Sequence, residues 1–241
     1  MSFYEELSRY YDEIFATTPA EMAFIRQRLS GRQRLLDIGC GTGNKTELLA
    51  EAGRQITGLD LDEGMIEKAR TLHAPPGLDY LRADMLGISE LFPPAHFDGL
   101  ICLGNTLPHL TEAGEAAKFV EALKLAAAPE ALLVIQVLNY DHIRAANLKE
   151  LPLIETEHCV FRRFYDWPDG ELRFRTRLEV KGGQTYENDI PLRPIFKADL
   201  AELLAPGFQS LEFFGGYDGR PWQPDSFVTL LTALRKAEKN S

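Results

Sequence analysis

Three glycines and three carboxylates in the first third of this chain have the types and the spacing to do chemistry. Gly39, Gly41 and Gly43 stand two apart at the end of an apolar run, Leu35-Leu36-Asp37-Ile38. Such a turn lets a ligand touch the main chain with no Cβ in the way, and nucleotide-type ligands bind at strand–glycine–helix turns. Asp37 precedes the glycines, Asp60 ends Ile56-Thr57-Gly58-Leu59-Asp60, and Asp84 ends Tyr80-Leu81-Arg82-Ala83-Asp84. Carboxylates at three strand ends along one sheet edge suit a ligand with an ammonium, a ribose diol and an exocyclic amine. They repel a pyrophosphate. The spacing G-x-G-x-G, followed by Asn44-Lys45-Thr46, also misses the third glycine of the dinucleotide fingerprint, which counts against a nicotinamide oxidoreductase.

S-adenosylmethionine carries those three groups and no phosphate. On these residues the chain resembles the class I S-adenosylmethionine-dependent methyltransferases, in order from Arg34 to about Tyr140 and again in a C-terminal strand pair. The resemblance implies roles position by position. Asp37 and the backbone at Gly39, Gly41 and Gly43 would hold the methionyl part, and Asp60 the ribose hydroxyls. Asp84 would accept from the adenine amino group, with Met65 against the ring and Leu61, Met85 and Leu103 beside it. Met65 also reads as core filler on an amphipathic helix.

The segment after the fourth strand should meet the methyl acceptor. Here Leu103-Gly104-Asn105-Thr106-Leu107-Pro108-His109-Leu110 lacks the Asn-Pro-Pro-Tyr type box of methyltransferases that act on DNA bases or proteins. It is similar instead to the Gly-Asn-Ser-Phe-Ala-His-Leu segment of glycine and sarcosine N-methyltransferases and their small-molecule relatives, matching at Asn105 and His109. A second match is Val134 to Asp141, except that Leu138 stands where those enzymes carry the arginine that binds the glycine carboxylate. Glycine itself is therefore not the expected substrate. The resemblance implies a small-molecule acceptor held near Asn105, His109 and Tyr140. Asn105, His109 and Tyr11, the last from a Tyr10-Tyr11-Asp12 helix, are the catalytic candidates. S-adenosylmethionine is the expected cofactor, S-adenosylhomocysteine the product, and no metal is implied. Blander readings stand beside these: Asn139 to Asp141 as a helix cap, the tyrosines as core, His109 as a local hydrogen-bonding group.

The expected reaction is in-line displacement, in which alignment of acceptor, methyl carbon and sulfur does most of the work. A neutral amine needs little base; a hydroxyl needs one, and His109 titrates nearest neutrality. The glycine-family likeness favours nitrogen. Methylation at oxygen and non-catalytic binding of S-adenosylmethionine are the alternatives.

The elements that must position these residues follow from periodicity. Two helices, Phe3–Phe15 and Pro19–Leu29, lead into strands and helices at Arg34–Ile38, Lys45–Ala52, Gln55–Asp60, Glu63–Leu72, Leu78–Ala83, Phe97–Leu103, Glu112–Ala127 and Ala131–Leu138. The alternation predicts an α/β parallel sheet with helices on both faces, and the resemblance implies that it is the Rossmann-like seven-stranded methyltransferase sheet. From Leu172 to Val180 the period drops to two, with Arg173, Arg175 and Arg177 between apolar residues. That pattern marks a half-exposed antiparallel strand, its arginine row a solvated face. A small antiparallel β insertion over about 154–193 is expected to form a substrate lid. A helix at Phe196–Leu204 and strands at Phe208–Phe214 and Phe227–Leu234 complete one domain over 1–241, with N-terminal helices in 1–30.

Composition narrows the partners. The 241 residues carry 36 acidic against 26 basic side chains, a formal charge of -10, which disfavours nucleic acid. Cys40, Cys102 and Cys159 are too few and too scattered for a disulfide framework or a zinc site. No targeting segment or membrane-length apolar run is read, so a cytoplasmic protein without a membrane partner is expected. Whether the insertion closes one site or builds a homodimer stays open.

Overall fold

Leu35, Leu36 and Ile38 are each no more than 1% exposed, as a strand covered on both faces must be. They form β1 (Arg34–Ile38) in the computed structural model, which describes residues 3–51 and 53–237. Parallel neighbours flank it: β2 (Gln55–Asp60) and then β3 (Leu78–Arg82) on one side, β4 (Phe97–Cys102) and then β5 (Ala127–Leu138) on the other. A second sheet follows in the chain, β6 (Ile154–Glu155), β7 (Cys159–Asp166), β8 (Leu172–Val180) and β9 (Thr185–Leu192), antiparallel throughout. The chain then returns with β10 (Phe208–Phe214) and β11 (Val228–Arg235), both antiparallel, to close a seven-stranded order β10-β11-β5-β4-β1-β2-β3. This is the expected α/β methyltransferase sheet with its small antiparallel insertion.

Helices cover both faces. On one, α5 (Glu115–Ala126) and α7 (Lys197–Leu204) pack Phe119, Leu123 and Leu200 onto Leu36, Leu100 and Ile135. On the other, α2 (Pro19–Arg28) and α3 (Glu63–Leu72) bring Phe24, Ile25, Ile66 and Ala69 onto Leu35, Ile101 and Val134. Caps set where two of these begin. Thr18 accepts from the Glu21 amide at 3.2 Å, and Asp62 accepts from the Met65 amide at 2.9 Å. A third apolar cluster joins α1 (Phe3–Ile14) to the insertion, through Leu7, Ile14, Phe161 and Leu178. That cluster suspends the small sheet over the carboxyl ends of the strands.

Several boundaries differ from the pattern. The helix expected over Lys45–Ala52 is one 3-10 turn, Glu47–Leu49, with Ala52 outside the described residues. Side chains take the carbonyls a longer helix would use: Arg26 bonds the Leu48 oxygen and Arg54 the Leu49 oxygen. β5 begins at Ala127 rather than Ala131, because Ala127 already pairs with Phe97 before a register shift restores Gly99 opposite Leu132. The short helices α4 (Ile88–Leu91) and α6 (Tyr140–Ala145) span too few turns to show a period. In β8 the arginine row is the solvated face that was expected, since Arg173 pairs with Asp189, Arg175 with Asp166, and Arg177 with Glu179 and Glu187. All three cysteines are free and buried.

Phe119 is fully buried between α5 and the sheet, away from the strand ends. Phe119→Ala is expected to lower stability by about 3–5 kcal/mol, since it removes apolar contact and leaves a cavity. Urea unfolding of the two proteins measures this.

Candidate functional site

The turn after β1 is held to the end of β2 by backbone bonds. The amides of Gly39 and Cys40 both donate to the Leu59 carbonyl, at 2.8 and 3.0 Å. One residue on, the Gly41 amide donates to Asp60 Oδ2 at 2.9 Å, while Asp60 Oδ1 accepts from the Asp62 amide at 3.0 Å. Asp60 thus braces the glycine turn on one side and the start of α3 on the other. Burial raises its pKa, against these hydrogen bonds.

Asp37 lies behind the turn and is 4% exposed. Its Oδ2 accepts from the Thr46 hydroxyl at 2.6 Å. Burial pushes its carboxyl up to about 6, against the Thr46 bond and the nearby Lys45, whose own ammonium is paired with Glu21 at 2.7 Å. Two carboxylates therefore stand dehydrated within one small region. A cation or a set of hydroxyl donors would relieve both.

These groups open into a cavity of about 510 Å³. Asp37, Gly39, Gly41, Asp60, Leu61, Met65, Asp84, Met85, Leu103, Asn105, His109 and Tyr11 all line it, so distant parts of the chain meet at one place. Met65 and Leu103 are buried walls, Leu61 is 66% exposed, and Asp84 accepts from the Leu86 amide at 2.8 Å. The acidic lining, Asp37, Asp60, Asp62 and Asp84, is unsuited to phosphate. α1 lays the Tyr11 ring over the glycine turn, where a Cβ on Gly41 would come within 3.0 Å of it. Burial first, then the surrounding carboxylates, raise the Tyr11 pKa. Its hydroxyl stays a donor.

Two expected site residues lie elsewhere. Gly43 does not line the cavity: a Cβ there would fall 2.2 Å from the Tyr80 hydroxyl, which donates to the Gly43 carbonyl at 3.2 Å. Its left-handed backbone (φ +80°) lets the chain pass Tyr80, and only Gly39 and Gly41 of the three line the cavity. Tyr140 is fully buried against Tyr165 and does not line the cavity. Burial pushes its phenol up to about 12, and its hydroxyl meets the Asn105 amide nitrogen at 2.9 Å.

Asn105 is consumed by the same contacts. Its Oδ1 accepts from the Leu138 amide at 3.0 Å, so the side chain ties the end of β4 to the end of β5. The left-handed backbone at Asn105 (φ +68°) turns it there. Asn139 acts as the cap considered from sequence, accepting from the His142 amide and donating to the Ser226 carbonyl at 2.9 Å. His109 is the group left facing the cavity, and its ring makes no hydrogen bond to a described residue. Partial burial against the cavity wall lowers its pKa below the ordinary imidazole value.

Sequence reasoning expected the insertion as a lid but did not name the side chains of the opposite wall. α1 contributes Phe3, Tyr4 and Leu7, and the small sheet contributes Phe161, Arg163, Phe174, Thr176 and Asn188. The period of two in β8 announced a one-sided strand. It did not say what that side would face.

Residues 35–129 match a family described as a methyltransferase domain. A glycine N-methyltransferase of Oryctolagus cuniculus is 35% identical over 130 residues, 48% of this chain and 44% of that protein, so the match spans less than half of the relative's length. A glycine/sarcosine N-methyltransferase of Halorhodospira halochloris is 29% identical over 208 residues, 82% of this chain and 74% of that protein. An S-adenosylmethionine-dependent methyltransferase from Clostridium acetobutylicum ATCC 824 superposes with a TM-score of 0.79 at 16% identity, covering 97% of this chain and 99% of its own. At that identity the likeness is one of fold.

The raised pKa of Asp37 has a consequence for stability. Between its unfolded value near 3.8 and its folded value of about 6, the folded protein binds the proton more tightly, so stability falls as pH rises through that window. Asp37→Asn keeps an acceptor for Thr46 and removes the titration. Relative to wild type, the ligand-free variant is expected to gain up to about 3 kcal/mol between pH 4 and pH 6.5. Denaturant unfolding at both pH values measures the difference, and a constant gap would show that Asp37 is not the group responsible.

Proposed function

We propose that this chain, a class I methyltransferase by its fold and its matched domain, transfers the methyl group of S-adenosylmethionine to a small-molecule acceptor, at nitrogen. The observation that carries the proposal is the pair of carboxylates, Asp37 and Asp60, both pushed up in pKa by burial, at a glycine turn whose open side faces a cavity edged by Asp62 and Asp84 as well. An ammonium and a ribose diol supply further donors to carboxylates whose present hydrogen bonds do not offset their burial. When bound, S-adenosylmethionine supplies a methyl group on a sulfonium, which is already a good leaving group.

In this reading the residues divide the labour by position. Asp37 and the backbone at Gly39 and Gly41 take the methionyl end, and Asp60 takes the ribose. Asp84, Met65, Met85, Leu61 and Leu103 surround the adenine. Tyr11 and the small sheet over 154–193 close the cavity, serving as the lid that excludes water and holds the acceptor in line. Asn105 and Tyr140 act as positioning residues, since both are spent on joining β4 to β5. The imidazole of His109, which lines the cavity, takes the proton from the acceptor at whichever ring nitrogen faces it. Likeness to the glycine and glycine/sarcosine N-methyltransferases favours nitrogen over oxygen.

Calorimetric titration with S-adenosylhomocysteine, with NAD as comparison, tests the cofactor. Wild type is expected to bind the first and not the second. Asp60→Ala should weaken S-adenosylhomocysteine by roughly 10–100-fold, the effect of losing hydrogen bonds to a charged group, and because Asp60 also braces the glycine turn its melting temperature is measured alongside. Unchanged affinity in that variant would remove the ribose assignment. His109→Ala should lower turnover while leaving S-adenosylhomocysteine affinity unchanged. Mass spectrometry of products from paired amine and alcohol acceptors decides between nitrogen and oxygen.

A further inference from the structure

Across the inner face of the small sheet the residues are almost all apolar. Phe161 and Tyr165 of β7, Phe174 and Leu178 of β8, and Tyr186 and Ile190 of β9 form two rows, one toward each end. Between them runs a row of different chemistry. Arg163 stands opposite Thr176, and Thr176 stands opposite Asn188, so the three side chains share one face and one line across three strands. All three line the cavity that holds the glycine turn and His109.

This row is under-partnered. Thr176 is 4% exposed, and its hydroxyl has no hydrogen-bond partner. Arg163 Nη2 donates to the Pro152 carbonyl at 2.8 Å, which fixes the direction of the guanidinium. Its Nε is buried without a partner, and no described carboxylate pairs with it. Asn188 Nδ2 reaches only the Tyr4 hydroxyl of α1, at 3.4 Å. The arginines of the outer face behave differently, each paired with an acidic neighbour. A buried guanidinium Nε and a buried hydroxyl without partners among the described residues are unfavourable, and such groups occur where a ligand completes them. Burial works against the charge on Arg163, as its lowered pKa indicates, and an anion would restore the balance.

We infer that the row Arg163–Thr176–Asn188 is the subsite for a carboxylate carried by the methyl acceptor, holding that end of the acceptor against the lid while its other end faces His109. The guanidinium supplies charge and directed donors, the threonine hydroxyl and the asparagine amide supply two more, and Phe161 and Phe174 flank the acceptor's apolar part. The inference rests on the methyltransferase reading for the identity of the ligand as an acceptor; the anion preference of the row does not depend on it.

The test is calorimetry with a panel of amino and hydroxy carboxylic acids, each paired with its own primary amide, on the full chain with and without S-adenosylhomocysteine. Wild type is expected to bind at least one acid ten or more times tighter than its amide. Arg163→Ala should abolish the preference, Arg163→Lys should recover part of it, and Thr176→Val should reduce it several-fold, all at unchanged S-adenosylhomocysteine affinity. Melting temperatures establish that each variant is folded. The inference is overturned if wild type prefers none of the acids over their amides, or if folded Arg163→Ala keeps the wild-type preference. Failure of wild type to bind S-adenosylhomocysteine, with the acid preference intact, would overturn the methyltransferase reading and leave the anion subsite standing.

Discussion

The arrangement depends on the hydrogen bonds that fasten the glycine turn to the end of β2. The Gly39 and Cys40 amides share the Leu59 carbonyl, and the Gly41 amide reaches the Asp60 carboxylate. A parallel sheet leaves amides and carbonyls open at its carboxyl edge, and ligands gather there for that reason. Here the edge is closed partly by backbone and partly by the Asp60 side chain. Asp60 uses both its oxygens there, one on Gly41 and one on Asp62.

That choice places negative charge where water is scarce. Asp37 and Asp60 are dehydrated by the same packing that makes the sheet stable, and both titrate higher for it. A protein tolerates such strain where a ligand later relieves it, which is why perturbed carboxylates cluster at functional sites. The surrounding design is consistent. Tyr11 stays a phenol, burial lowers the His109 pKa, and the lid meets the cavity with aromatic rings and one polar row that includes Arg163.

Closure of the cavity comes from parts of the chain that do not belong to the seven-stranded sheet. α1 and the inserted sheet share one apolar cluster, so they cover the strand ends as a unit. Asn105 and Tyr140 contribute from beneath, by locking the end of β4 to the end of β5. The wall that faces the acceptor is therefore set by packing between segments more than a hundred residues apart. A local pattern cannot express that distance.

Local physics made much of the molecule legible. Leu35, Leu36 and Ile38 had to be a buried strand and the Leu172 to Val180 alternation a one-sided one, because each depends on neighbours within a few residues. The glycines and the carboxylates at successive strand ends identified the cavity edge for the same reason. Tertiary structure alone decided which of those residues face a ligand. Gly43 turns away because the Tyr80 hydroxyl fills its outer side, and Tyr140 and Asn105 turn inward because their polar groups satisfy each other and the Leu138 amide. It also placed Arg163, Thr176 and Asn188 in one row, since strand register, not sequence spacing, determines which side chains stand opposite one another.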